Sequence, residues 1–123
     1  MKRNFEIDKI FNFALENHKK NNLKLAQFFY KKVLKANPNH SNSLFLLGSL
    51  LSKVKKYKEA KQLLIKATKN EPNNFNAYNN LGNVYSELQD FLNAANCFKM
   101  SIKINPKIAD TYFNYGNILK KLN

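Results

Sequence analysis

Between Phe75 and Glu87 the apolar residues Tyr78, Leu81, Val84 and Tyr85 return every three or four positions, and Leu88 extends the set. That spacing predicts an amphipathic helix. Gln89 and Asp90 break the pattern, and Asp90 carries the short acidic side chain that favours a helix N-cap. A second helix is predicted from about Phe91 to Ile104, with Ala94, Ala95, Phe98 and Ile102 on its apolar face. It stops at Asn105 and Pro106, because proline cannot continue a helix and restricts the residue before it.

The punctuation repeats. Pro38, Pro72 and Pro106 are 34 residues apart, and so are Gly48, Gly82 and Gly116. Every proline and glycine in the chain obeys this period, as do Ala26, Ala60 and Ala94. A fixed period of this size means a repeat architecture. The units are 7–40, 41–74 and 75–108, with 109–123 supplying the first helix of a fourth, all in one domain spanning 1–123. Turns of four to six residues leave no room for crossovers, so the helices must run antiparallel as hairpins. A glycine inside a helix costs about 1 kcal/mol against alanine. It is tolerable where another helix comes close, so Gly82 is expected to face Ala94, and Gly48 to face Ala60.

At these positions the chain resembles the tetratricopeptide repeat family. The third unit carries the pattern in Tyr78, Leu81, Gly82, Tyr85, Ala94, Phe98 and Pro106, and the second in Leu44, Leu47, Gly48, Leu51, Ala60, Ala67 and Pro72. The first is more divergent, with Ile10, Phe13, Ala14, Ala26, Tyr30 and Pro38. The resemblance implies an all-α fold: a right-handed superhelical solenoid whose first helices line a concave groove for proteins or extended peptides.

Asn76, Asn79, Asn80 and Asn83 form a stripe nearly opposite Tyr78, Leu81, Gly82 and Tyr85 on a helical wheel. Asp110, Phe113, Asn114 and Asn117 repeat that stripe in the last helix, and Asp8, Phe11, Asn12 and Leu15 in the first. The resemblance assigns this side to the groove. An exposed amide offers both donor and acceptor, so it can pair with the backbone of an extended peptide without reading its side chains. The repeat region of the nucleocytoplasmic N-acetylglucosaminyltransferases carries such a ladder, and Asn12, Asn80 and Asn114 occupy the matching slot. Leu46 interrupts it. The alternative reading is that AT-rich coding places Asn on a solvated face. Phe45 and Leu46 make the second unit's first helix apolar around most of its circumference. This suits either packing between units or an apolar pocket in the groove floor. Chaperone-binding members of the family grip a terminal carboxylate with lysines and asparagines. Here Phe11, Leu15 and Phe45 stand in that place, so no such clamp is expected.

Charge changes the picture less than its size suggests. The net charge is +13, yet Arg3 is the one arginine among 21 basic residues. Arginine is the usual reader of bases and phosphates, so nucleic acid is a weaker alternative, and an AT-rich genome could produce much of the lysine excess without selection for a partner. Lone Cys97 allows no internal disulfide and fits a reducing, cytoplasmic setting. No apolar run is long enough to span a membrane. His18 and His40 fall in different turns without paired carboxylates or cysteine, so no metal, cofactor or catalytic set is expected and the chain reads as a non-enzyme. A rival reading makes it the amino-terminal, substrate-selecting module of a larger glycosyl-, sulfo- or methyltransferase. Helix 109–122 shows Tyr112, Tyr115, Gly116 and Leu119 on one stripe, unlike a polar terminal cap. It is expected to meet either further chain or another molecule, such as a second copy.

Overall fold

A computed structural model describes residues 2–123. It contains seven helices: α1 (Lys2–Lys19), α2 (Leu23–Ala36), α3 (Ser41–Lys53), α4 (Tyr57–Asn70), α5 (Phe75–Glu87), α6 (Phe91–Ile104) and α7 (Ala109–Leu122). Helices α5 and α6 have the bounds that the apolar spacing predicts. Three antiparallel hairpins, α1–α2, α3–α4 and α5–α6, stack in order, and α7 packs on α6. Helix α3 also touches α5, and α5 touches α7, so the first helices stand side by side as an inner layer. This is the all-α solenoid of helical hairpins that the resemblance implies. Helix α1 starts at Lys2, ahead of Ile7, and Arg3 in its first turn donates to the Ala36 carbonyl at 2.6 Å.

The turns come in two kinds, three residues within a hairpin and four between hairpins, so only the first kind is shorter than expected. Residues 20–22, 54–56 and 88–90 join the helices within a hairpin. Each holds one residue in left-handed geometry: Asn21 at φ 62°, Lys55 at 67° and Gln89 at 63°. Amides on either side close the helix end, as when Asp90 donates to the Tyr85 carbonyl at 2.9 Å and Gln89 to Ser86 at 3.0 Å. This pairing of six-to-one and five-to-two bonds usually has glycine at its centre. None of the three turns has one, which is why the sequence does not reveal them.

Residues 37–40, 71–74 and 105–108 join successive hairpins. Asn37 and Asn105 accept from the amides of Asn39 and Lys107 at 3.2 and 3.1 Å, folding the chain over the intervening proline. His40 and Asn74 then cap the next helix through their side chains, whereas Ile108 offers α7 no such bond.

The core is made of three buried clusters spread along the hairpins. Ala14, Ala26, Tyr30, Leu47, Leu51, Ala60, Leu64, Leu81 and Val84 form its main cluster, and Phe98 packs with Ala94, Ala95 and Ile118 in the last one.

The glycines do not face alanine. A Cβ on Gly82 would sit 2.6 Å from Phe98 Cε1, and one on Gly48 would sit 2.8 Å from Leu64 Cγ. The partner is one helical turn beyond the expected Ala94 or Ala60. Those alanines are fully buried, but the missing side chain makes room for a large neighbour, not a small one. Full burial of a residue such as Phe98 contributes about 1.5–3 kcal/mol, which exceeds the propensity cost of the glycine. Gly116 meets nothing within 4 Å.

The same substitution should therefore have opposite effects at two sites. Gly82→Ala forces Phe98 to move and should destabilise the fold by about 1–3 kcal/mol. Gly116→Ala adds a methyl in open space and should stabilise α7 by about 1 kcal/mol. Urea unfolding of both variants checks the pair. Gln89→Gly should relieve the left-handed turn and add roughly 0.5–1 kcal/mol, read as a raised melting temperature.

Candidate peptide-binding groove

The inner layer presents the faces of α1, α3, α5 and α7 that turn away from the second helices. Packing of first helix against first helix half-buries much of this surface. Asn12, Asn76 and Asn117 are exposed, whereas Asn79, Asn80, Asn83 and Asn114 are half-buried. Asn80 differs from its expected role as a free rung. Its amide donates to Ser49 Oγ at 2.8 Å, and Ser49 Oγ donates to the Phe45 carbonyl at 2.9 Å. One of its donors thus ties α5 to α3. Asn79 Oδ1 is shielded from solvent and has no partner in the fold. An unmet acceptor of this kind costs about 1–3 kcal/mol.

Asn83, Asn114 and Asn117 come together across α5 and α7. With Ser86, Glu87, Lys120 and Lys121 they surround a cleft of about 450 Å³ that reaches Phe98 and Ile118. The arrangement sets neutral donors and acceptors around an apolar base, with both charge signs at one end. Phe113, from the same stripe, is 70% exposed. Phe45 and Leu46 sit half-buried against the core clusters. Phe11 is also drawn inward, its ring 4.9 Å from that of His40 and 6.1 Å from that of Tyr30.

One polar pair near the groove was not legible in the spacing. His18, at the end of α1, lies 2.8 Å from the Tyr30 hydroxyl through Nδ1. Burial, then the Lys53 ammonium, lowers the His18 pKa below its usual 6.5. Burial alone pushes Tyr30 up to about 12. The bond then joins a neutral imidazole and an intact phenol, with the direction set by the His18 tautomer. The two residues are 12 apart, one on each helix of a hairpin, so helical spacing gave no cue. Cys97 is buried, and burial followed by the Asp90 charge pushes its thiol up to about 12, which leaves it unreactive. Among the described residues no three His, Cys, Asp or Glu side chains gather at metal-binding distance, and no helix is long and apolar enough to cross a membrane.

A sequence profile described as "Anaphase-promoting complex, cyclosome, subunit 3" matches residues 19–101, about two thirds of the chain. The chain belongs to this family of tetratricopeptide repeats. No curated protein is significantly similar to the tetratricopeptide chain. Solved structures are similar to it. The first tetratricopeptide domain of Spaghetti (RPAP3), bound to an HSP90 peptide, is 17% identical with a TM-score of 0.88, covering 94% of this chain and 92% of that one. MamA from Desulfovibrio magneticus RS-1 is 21% identical at 0.89, covering 94% and 65%. A Thermobaculum terrenum O-GlcNAc transferase is 21% identical at 0.85, covering 97% and 23%. The chain thus spans less than two thirds of the MamA structure and about a quarter of the transferase. At these identities the likeness speaks to the fold.

The His18–Tyr30 pair predicts a pH effect. Above 6.5 the histidine is neutral in both folded and unfolded chains and contributes no pH dependence. Below it the unfolded chain takes up a proton that the folded chain resists, so stability falls with pH until the folded site protonates too. Unfolding measured from pH 7.5 down to about 5 should show this slope, and His18→Gln should flatten it.

Proposed function

We propose that this chain is a protein-binding scaffold whose concave face holds an extended segment of a partner through its amide-bearing first helices. The observation that carries the reading is the cleft between α5 and α7, where Asn83, Asn114 and Asn117 gather over Phe98 and Ile118. Such amides can pair with peptide C=O and N–H groups, and the apolar base can take one side chain. Asn12, Asn76, Asn79 and Asn80 continue the track, with Phe45, Leu46 and Phe113 as apolar contacts along it. The peptide seen on the Spaghetti (RPAP3) domain lends support by analogy of fold. The chain has no catalytic role in this reading, and its lone buried cysteine fits a cytoplasmic setting.

A second reading makes the same groove the substrate-selecting part of a larger transferase. It rests on the likeness to the O-GlcNAc transferase, in which a stretch of this size is a minor part of the chain. Nucleic-acid binding through the lysines has less support, since no arginine reaches the groove. Self-association through helix 109–122 is a further part of the proposal: Tyr112, Leu119 and Leu122 are exposed there, and Gly116 faces open space. Sedimentation over a range of concentrations tests it.

The groove reading is tested by selecting binding peptides from a displayed library and measuring their affinity by calorimetry. Asn83→Ala with Asn114→Ala should lose roughly 0.5–1.5 kcal/mol per side chain, with the fold intact by circular dichroism. Peptides that bind the double variant as well as the parent would refute the ladder.

A further inference from the structure

The first hairpin's outer side, away from the groove, carries an exposed apolar patch. Phe13, Leu25, Phe28 and Phe29 lie 34 residues before Leu47, Glu59, Gln62 and Leu63. In the second hairpin those four residues line one cleft together with Lys31, Leu34 and Lys35 of α2. Helix α2 packs on α3 of that hairpin and borders this cleft, the inner seat, across from α4. The same four positions of the first hairpin form the matching outward face, the outer seat, on which no helix lies among the described residues. Its aromatic residues are continuous: Phe29 lies 5.7 Å from Phe13 and 5.3 Å from Phe28. Phe13, Leu25 and Phe28 are 42%, 50% and 56% exposed.

Polarity runs opposite to what solvation asks. A solenoid end facing water needs a polar outer face. Here the inner seat has Glu59 and Gln62, while the outer seat has Leu25 and Phe28 at the matching places. Charge then says what kind of helix fits. Between the hairpins, Lys31 of the seated helix pairs with Glu59 at 3.7 Å. On the outer seat Leu25 removes that carboxylate, and exposed Lys24 and Lys32 flank the apolar residues, with Lys32 Nζ 5.6 Å from the Phe28 ring centre. A lysine-bearing helix such as α2 would be repelled there, and an acidic one attracted. With a net charge of +13, a second copy of the chain is a poor occupant.

We propose that Phe13, Leu25, Phe28 and Phe29 dock an acidic amphipathic helix of another protein, seated as α2 sits on the second hairpin. Its apolar stripe would stand where α2 has Leu34, with carboxylates where α2 has Lys31 and Lys35. The surface is separate from the concave groove, so either site can fail without the other.

The probe is a fluorescein-labelled peptide of residues 21–38 carrying K31E and K35E, with the unsubstituted peptide as control. Fluorescence anisotropy against the 123-residue protein should show saturable binding of the acidic peptide, about tenfold or more tighter than the control. Phe28→Ser and Leu25→Ser should each weaken it several-fold, because both remove exposed apolar contacts at the centre of the seat. The groove double variant Asn83→Ala with Asn114→Ala should leave it unchanged. Absence of saturable binding, equal binding of the lysine peptide, or indifference to Phe28→Ser would each overturn the proposal. So would concentration-dependent dimerisation of the protein that Phe28→Ser abolishes, which would make a second copy the occupant.

Discussion

An aromatic ring edge against a bare α-carbon sets the geometry of the molecule. Phe98 on Gly82, and Leu64 on Gly48, fix how closely the two helices of a hairpin approach. Packed interiors transmit such spacing because they have little void to absorb a change. Once that distance is set, the seat for the next hairpin follows, and the 34-residue period copies it along the chain. The first hairpin has Ala14 instead of glycine, facing the same core with Ala26 and Tyr30. The half-buried His18–Tyr30 pair ties the two helices there, as Ser101 Oγ ties α6 to the Phe75 carbonyl in the third hairpin.

Much of this was legible because helices and prolines are local signals. The bounds of α5 and α6, the Asp90 cap and the stacking order all follow from residues close in sequence. What was missed lies between elements. Gly82 pointed to a close approach, but one turn of error along the partner helix exchanged Ala94 for Phe98, since spacing alone does not fix the register of two packed helices. The left-handed turns at Asn21, Lys55 and Gln89 carry no glycine to announce them. At the candidate groove, the amide stripe was visible as a period, and its burial was not. Asn80 is occupied by Ser49 on a neighbouring first helix, a contact across 31 residues that a helical wheel of α5 does not contain.

The balance of charge and burial explains why the chain's two faces differ in kind. Lysines dominate the outer surface, where one ion pair, Lys31–Glu59, occurs among the described residues. Exposed pairs contribute about 0–1 kcal/mol, so stability rests on the apolar core and its turns. The inner layer has instead accumulated neutral amides. Neutral groups avoid the desolvation penalty that a charge would incur when a partner covers it. The groove is therefore suited to being covered, and the lysine-rich surface to remaining wet.

Each hairpin touches only its neighbours, apart from first helices that meet along the inner layer. No substantial packing bridges the two ends of the solenoid among the described residues. Mechanically the molecule is therefore a short spring with its stiffness distributed over the hairpin junctions. A small rotation at each junction, with little loss of buried surface, adds up along the row. The radius of the concave face becomes an adjustable quantity, and a guest can tune the curvature of its host while each hairpin keeps its own packing.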